Sequence, residues 1–373
     1  MSTTTPEKPE LVKAADVKAD AKVEATRVDA KTETKTDTKT DGKVEAVKAD
    51  GSRGEAIRYP EEDKLGPLGA RVSALWDPTN LRKVLVREFN ATVAKAKEAA
   101  AFVEQSPTIA VHEARKALRR ARAVLMMVSN ALPKGERRAV RAALQESRRS
   151  LSTARDHAVA PEMLASIVLS DEDRSIAKRV LDNAAEALPP TQELKQLLAE
   201  AATRAAAQAE ALEAALPQEL EWKVVIDGIK DVYAEARDAR RRGKKSKAWF
   251  HTWRRRSKEL VYQLELVAEH AGQRMNAIHD ELEGIANTQS PAVDLIMLRD
   301  FVNTYGQGIA PDAIEHLRDS IDSAVDELMT TARDAGRDAY SQRPKKFAKR
   351  LAKAVKRDLT PPDDVDSVSD LAD

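Results

Sequence analysis

Two short stretches of the chain repeat one arrangement of cations around a histidine. The first is His112, Arg115, Lys116 and Arg119; the second is His251, Arg254, Arg255 and Lys258. Each member of the second lies 139 residues after its counterpart in the first. On a helix, positions i, i+3, i+4 and i+7 fall within roughly 60° of one line, because each residue advances about 100°. Each stretch therefore presents one imidazole and three cations on a single face. Like charges at this spacing repel by a few tenths of a kcal/mol per pair. A face selected for solubility alone would alternate its signs. Instead, the segment from His112 to Arg122 holds five cations and one acid, Glu113, and Asp238 is the only acid between Arg237 and Lys258. Arginine offers phosphate oxygens a planar fork, and lysine offers a compact charge. Histidine adds a second donor once protonated, a form that a nearby phosphate favours. The chemistry implied is the binding of a polyanion, tighter as the pH falls toward 6 and weaker as salt rises.

Further cations have compatible spacing. Arg122 extends the first stretch. Arg141, Arg148 and Arg155 recur every seven residues and share a face. Lys230, Tyr233, Arg237 and Arg241 share another face just upstream of the second stretch. Packed about a common axis, these faces would line one groove or pore. Asp156 and Asp294 are expected to orient a neighbouring arginine or cap a helix rather than to act in acid–base or metal chemistry. His157, His270, His279 and His316 lack ligand-type spacing, so no metal is expected. Trp249, Phe250 and Trp253 are expected in the core. Tyr262 falls on the His251 face, where packing and phosphate contact are both open to it.

The elements that hold these faces are helical. Hydrophobic residues make up 42% of the 373, aromatics only 4%, and glycine only 13 residues. That balance disfavours sandwiches and barrels. Helical periodicity runs over about 81–105, 109–132 and 136–153. Breaks are expected at Pro161, Pro189-Pro190, Pro217, Gly243, Ser290-Pro291, Gly306 to Pro311 and Arg343-Pro344, with Ala/Leu-rich helical intervals between them. No interval alternates with period two. The fold class expected is all-α. Behind the first basic face lie Ala114, Ala117, Leu118, Ala121, Leu125 and Val128; behind the second lie Phe250, Trp253, Leu260, Leu264 and Val267. Each helix is thus anchored on one side and basic on the other.

The ends differ from this middle. Residues 1–64 form a low-complexity arm and linker of alternating Lys, Thr, Asp, Glu, Ala and Val, too poor in large apolar residues to offset ordering entropy, and are expected to be disordered. Residues 361–373 carry five aspartates and no basic residue, which gives an acidic, solvated tail. The chain has no cysteine, which removes disulfides, thiolate catalysis and Cys-based zinc sites. There is no secretion signal and no run of about 20 apolar residues, so a cytoplasmic protein without membrane contact is expected. Lys+Arg total 62 against 61 Asp+Glu, a net charge of +1. This excludes an indiscriminately basic surface but not a local one.

On these residues the sequence resembles the CHAD family, the conserved histidine α-helical domain. The segments that carry the likeness are Val111 to Arg122 and Trp249 to Leu266. A second pair is Leu151 to Val159, with its Ala-Arg-Asp, and Asp294 to Arg299, displaced by 138 residues as judged from Asp156 and Asp294. Arg343 to Arg350 resembles the family's C-terminal helix. The likeness covers about 80–358, with halves of about 80–215 and 216–358. It implies two pseudo-symmetric four-helix bundles around a central basic channel that binds inorganic polyphosphate, and an association with polyphosphate granules. One departure is Val293, which stands where the second half of the family usually has His.

Three other function classes are open to the sequence. An enzyme of polyphosphate metabolism lacks support, because there is no Gly-rich phosphate loop and no carboxylate cluster for magnesium; no cofactor is implied. A nucleic-acid partner is not expected, because few aromatics accompany the basic positions. A helical adaptor would pair the basic stripes with acidic helices, for which the acid-rich stretch from Asp280 to Glu327 is available.

Overall fold

In a computed structural model, residues 81–244, 246–271 and 273–359 are described. The expectations for 1–64 and 361–373 lie outside them. Among the described residues there are twelve helices and no strand. They are α1 (Leu81–Ala101), α2 (Pro107–Met127), α3 (Lys134–Ser150), α4 (Ser152–Ser166), α5 (Asp171–Glu186) and α6 (Thr191–Ala215) in the first half. The second half holds α7 (Trp222–Arg242), α8 (Lys247–Ala271), α9 (Gln273–Thr288), α10 (Ser290–Tyr305), α11 (Pro311–Ala335) and α12 (Pro344–Leu359).

The two halves pack alike. In the first, α1 lies against α2 and α6, and α3 closes the bundle against α2 and α6. In the second, α7 lies against α8 and α12, and α9 closes against α8 and α12. These are the two four-helix bundles. The remaining helices, α4 and α5 from one half and α10 and α11 from the other, pack on one another. Across the halves, α2 meets α8, α4 meets α10, and α5 meets α11. Each such pair joins a helix to its own repeat counterpart, which happens only near a two-fold axis.

The core follows from the apolar faces. Ala114, Ala117, Leu118, Ala121, Leu125 and Val128 are all buried behind the first basic stripe. Phe250, Trp253, Leu260, Leu264 and Val267 are fully buried behind the second. Trp253 meets Phe250 edge-on at 5.4 Å and Tyr340 at 5.9 Å between ring centroids.

Two expectations about boundaries are corrected. Pro161 does not end a helix but sits inside α4. It forfeits one backbone hydrogen bond, and the burial of Ala160, Met163 and Leu164 around it holds the helix together. The interval from Gly243 to Ser290, read as unbroken, divides into α8 and α9. The start of α5 is marked by chemistry rather than by proline: the Asp173 amide donates to Ser170 Oγ at 3.0 Å, and Asp171, Glu172 and Asp173 meet the positive end of the helix. The buried Asp173 carboxylate also accepts from His316 Nδ1 at 2.8 Å and Ser320 Oγ at 3.0 Å, which ties α5 to α11.

The halves come into close backbone contact where α7 passes the end of α2. A Cβ at Gly228 would lie 2.3 Å from the Met127 carbonyl oxygen and 2.7 Å from that of Met126. Backbone oxygens cannot swing aside as a side chain can. Gly228→Ala should therefore lower the thermal midpoint, although alanine gains about 1 kcal/mol over glycine in a helix interior. A midpoint raised by the substitution, read by circular dichroism, would show that the two helices separate without cost.

Candidate functional site

The basic stripes of α2 and α8 come together because their helices pack across the two halves. Two polar contacts fix that packing. Gln263 Nε2 donates to the Ala123 carbonyl at 3.1 Å, inside the core. Arg122 on α2 pairs with Glu259 on α8 at 2.9 Å, each about 5% exposed. Glu259 also pairs with the buried Arg256 at 2.5 Å, and Arg256 reaches Glu235 of α7. One buried carboxylate thus faces two buried guanidiniums, accepting a hydrogen bond from Arg256 and pairing in charge with Arg122, while Glu235 offsets the second positive charge.

Around this crossing the motif side chains are half-buried. His112, Arg115, Lys116, Arg119, His251, Arg254, Arg255 and Lys258 are neither core nor fully exposed. Arg148 and Arg155 join them from α3 and α4. Arg115 donates to the Arg148 carbonyl at 2.9 Å. Arg254 donates to Ser290 Oγ at 2.9 Å, and Lys258 to Asn287 Oδ1 at 3.0 Å. Arg155 donates to Asp156 at 3.1 Å and also to Asp294. Asp156 and its repeat counterpart Asp294 therefore converge on one arginine, Arg155. That matches the orienting role read for them from the sequence.

Electrostatics bind these residues into one group. Burial, reinforced by Arg148, Arg155 and Arg119, pulls the Arg115 guanidinium down to about 9. Burial together with Arg119 and Arg155 pulls Arg254 down to about 10, against the pull of Asp294. Burial, with Arg119 and Arg255, lowers Arg148, and burial, with Arg256 and Arg141, lowers Arg255. Lys258 is lowered by burial, with Arg254 and Arg119 adding to it. Arg115 and Arg254 still carry charge at neutral pH. Each is nonetheless a cation held partly out of water beside other cations. Such a cluster stores repulsion that any multivalent anion would relieve.

The histidines respond the same way. Burial, then Arg255, Arg148 and Arg254, holds His251 down at about 4. Burial and Arg119 lower His112, although Glu113 opposes them. Without an anion, both imidazoles are neutral through the physiological range. Burial would raise the Tyr262 phenol, but Arg119, Lys258, Arg120 and Arg254 outweigh it and hold it below its ordinary value. The Arg120 guanidinium lies 5.2 Å from the centre of the Tyr262 ring.

Not every predicted residue joins this cluster. Arg122 continues the line of Arg115, but at that level α8 presents Glu259 and takes the charge into the core. Arg141 acts on the group through its field on Arg255. The residues read on α7 turn elsewhere. Lys230 pairs with Asp227 at 2.6 Å, and Arg241 with Asp238 at 2.8 Å. Tyr233 is fully buried, donates to the Ala339 carbonyl at 2.9 Å and stacks on Phe347 at 4.0 Å. Arg237 Nε donates to the Tyr340 carbonyl at 3.1 Å. Tyr233 and Arg237 thus turn to α12 and the segment before it, while Lys230 and Arg241 are held by acids of α7 itself. Conversely, Glu259, Arg256 and Gln263 were not singled out in the sequence. Their signal is a polar residue at a core position of a helix otherwise apolar on that side. Spacing also missed His279, Asp280 and Glu283 on α9, whose ligand-type atoms lie within 4.8 Å of one another.

The fold and the cluster define a class: a duplicated all-helical domain whose two halves each contribute a His/Arg/Lys stripe to one central group. Residues 85–303 match the model of the CHAD domain, and the chain belongs to that family. The crystal structure of the CHAD domain from the plant Ricinus communis is similar to it, with a TM-score of 0.52 at 15% identity over 71% of this chain and 93% of that one. At that identity the likeness concerns the fold. No curated protein matches the sequence.

Because the folded state holds His251 well below its ordinary value, the unfolded chain takes up a proton first as the pH falls. Stability is therefore lost from about pH 6.5 down toward 4. His251→Gln removes that contribution. Between about pH 7.5 and about pH 5 its thermal midpoint should fall less than that of the unsubstituted protein. Equal falls would mean that His251 is not held neutral.

Proposed function

We propose that this protein binds inorganic polyphosphate through the α2–α8 cluster and does not cleave it. The observation that carries this reading is the convergence of Arg115, Arg119, Arg148, Arg254 and Lys258 from both halves into one half-buried group, in which burial first and neighbouring cations second lower Arg115, Arg148, Arg254 and Lys258. A cluster of that kind is costly unless an anion with many charges shares it. Linear polyphosphate carries about one charge per internal phosphate on a thin, flexible chain. It can follow a narrow basic groove between helices where a duplex could not enter. Forked guanidiniums would take pairs of oxygens and Lys258 a single one. Asp156 and Asp294 are both engaged by Arg155, which suits positioning rather than proton transfer. Such a protein would gather on polyphosphate granules. Among the described residues no helix is long and apolar enough to cross a membrane.

Arg115→Ala, Arg119→Ala, Arg254→Ala and Lys258→Ala combined should weaken polyphosphate binding by about 1000-fold, at roughly 1 kcal/mol per lost charge-assisted contact. Titration calorimetry at fixed salt reads this, with circular dichroism to confirm the fold. Undiminished affinity would remove the cluster from the site. Polyphosphate incubated with the protein should keep its length on a gel, whereas shortening would make the protein an enzyme.

Binding should also depend on pH, in a lower window than unperturbed histidine would give. A bound phosphate raises the imidazole pKa values, so the complex takes up protons and affinity rises as pH falls below about 6.5. The rise should level off near the free-protein value of about 4 for His251. His112→Gln with His251→Gln should flatten it. A rise that survives both substitutions would place the titrating group elsewhere.

A further inference from the structure

The last helix, α12, is amphipathic in an unusual way. Phe347, Leu351, Ala354 and Val355 are buried, where α12 packs on α7, α8 and α9. The opposite side is exposed and basic. Lys345, Lys346, Lys349 and Lys353 all lie in the open, within about 100° of the helix circumference. Among the described residues no acid pairs with these four. Arg350, at the edge of this face, is drawn to an acid, Glu281 of α9, at 3.3 Å.

The fold itself supplies a control. The counterpart of α12 in the first half is α6, since α6 packs on α1, α2 and α3 as α12 packs on α7, α8 and α9. Over its 25 residues α6 carries Glu193, Glu200, Glu210 and Glu213 against Lys195 and Arg204. Over its 16 residues α12 carries seven Lys and Arg and one acid, Asp358. The position therefore does not require a basic surface. Nor does the cluster at the α2–α8 crossing: the charges that act most on it lie on α2, α3, α4, α7, α8, α9 and α10. The residues matched by the CHAD model end at 303, well before α12.

We infer that the exposed face of α12 is a second polyphosphate-binding surface, separate from the cluster, so that one protein molecule holds two segments of polyphosphate at once. This rests on the proposed function. The face is a row of lysine point charges along about 12 Å of helix, at about 1.5 Å per residue. The four unpaired groups on it are all lysines, without aromatic rings or amides to stack on or read a base. It suits repeated phosphates rather than nucleotides. Being convex, it binds by charge alone and should be the more salt-sensitive of the two sites. Holding two segments would let the protein cross-link chains.

The test counts chains bound per protein, using a polyphosphate too short to reach both surfaces, in a calorimetric titration at low salt. The unsubstituted protein should bind two. Lys345→Gln, Lys346→Gln, Lys349→Gln and Lys353→Gln combined should bind one, with the tighter affinity kept; these exposed changes should leave the circular dichroism spectrum unaltered. The cluster variant described above should also bind one, the weaker. A single chain on the unsubstituted protein, or two on the α12 variant, would overturn the second surface while leaving the first intact. No binding at all would overturn the proposed function instead. Duplex DNA that displaces polyphosphate from the cluster variant at equal phosphate concentration would mark α12 as a nucleic-acid surface and overturn the inference.

Discussion

Two helices that each carry a line of cations lie against one another at the centre of this protein, and the rest of the structure has to pay for that contact. Behind the cations, Leu118 and Leu125 on α2 and Phe250, Trp253, Leu260 and Leu264 on α8 are buried. Full burial of a large apolar side chain is worth roughly 1.5–3 kcal/mol, against a few tenths for each exposed like-charge pair. The apolar faces therefore decide where the helices go, and the charges follow. Where α8 meets α2 inside the core, Glu259 pairs with both Arg122 and Arg256. Without that carboxylate Arg122 would be left unpaired in the interior beside Arg256, which would keep only Glu235, at a cost of several kcal/mol.

The pseudo-two-fold axis makes one repeated sequence produce one site rather than two. A stripe on a surface helix would be one of two identical, distant patches. Because α2 touches α8 and α4 touches α10, each half's cations enter the field of the other's. His251 feels Arg148 and Arg155, and Arg254 feels Arg119. Arg155 is held by its own neighbour Asp156 and by Asp294, the repeat equivalent of that neighbour.

The symmetry is broken in charge. Arg141 and Arg148 of α3 correspond, at the same 139-residue spacing, to Asp280 and Asn287 of α9. Val293, buried beside Asp294, fills a position on α10 that Arg155 fills on α4. The cluster is therefore more basic on the α3–α4 side than on the α9–α10 side. At the periphery the bias reverses, with a basic α12 and an acidic α6. Backbone architecture was duplicated faithfully, while the surface charges diverged in each copy.

Much of this was legible in the sequence, because it depends on period and local chemistry. The all-α class and the anchored faces of α2 and α8 follow from which residues recur every three or four positions, the pairing of the histidine stripes from their 139-residue displacement, and the two halves from the resemblance to the CHAD family. What spacing cannot give is the direction in which a helix face is turned, since that is set by the neighbour that buries it. Lys230, Tyr233, Arg237 and Arg241 share a face as expected, but α12 packs on α7, and Tyr233 goes into the core with Phe347. Pro161 reads as a stop, yet the packed residues on either side carry the helix through it. His112 and His251 have the right spacing for donors to phosphate, but only the folded surroundings show that burial and neighbouring arginines keep them neutral. The sequence by itself determined which residues could act together along one helix. The tertiary structure decided which of those sets meet across the molecule and how much water and charge surround them, because desolvation and like-charge repulsion depend on distances between residues far apart in the chain.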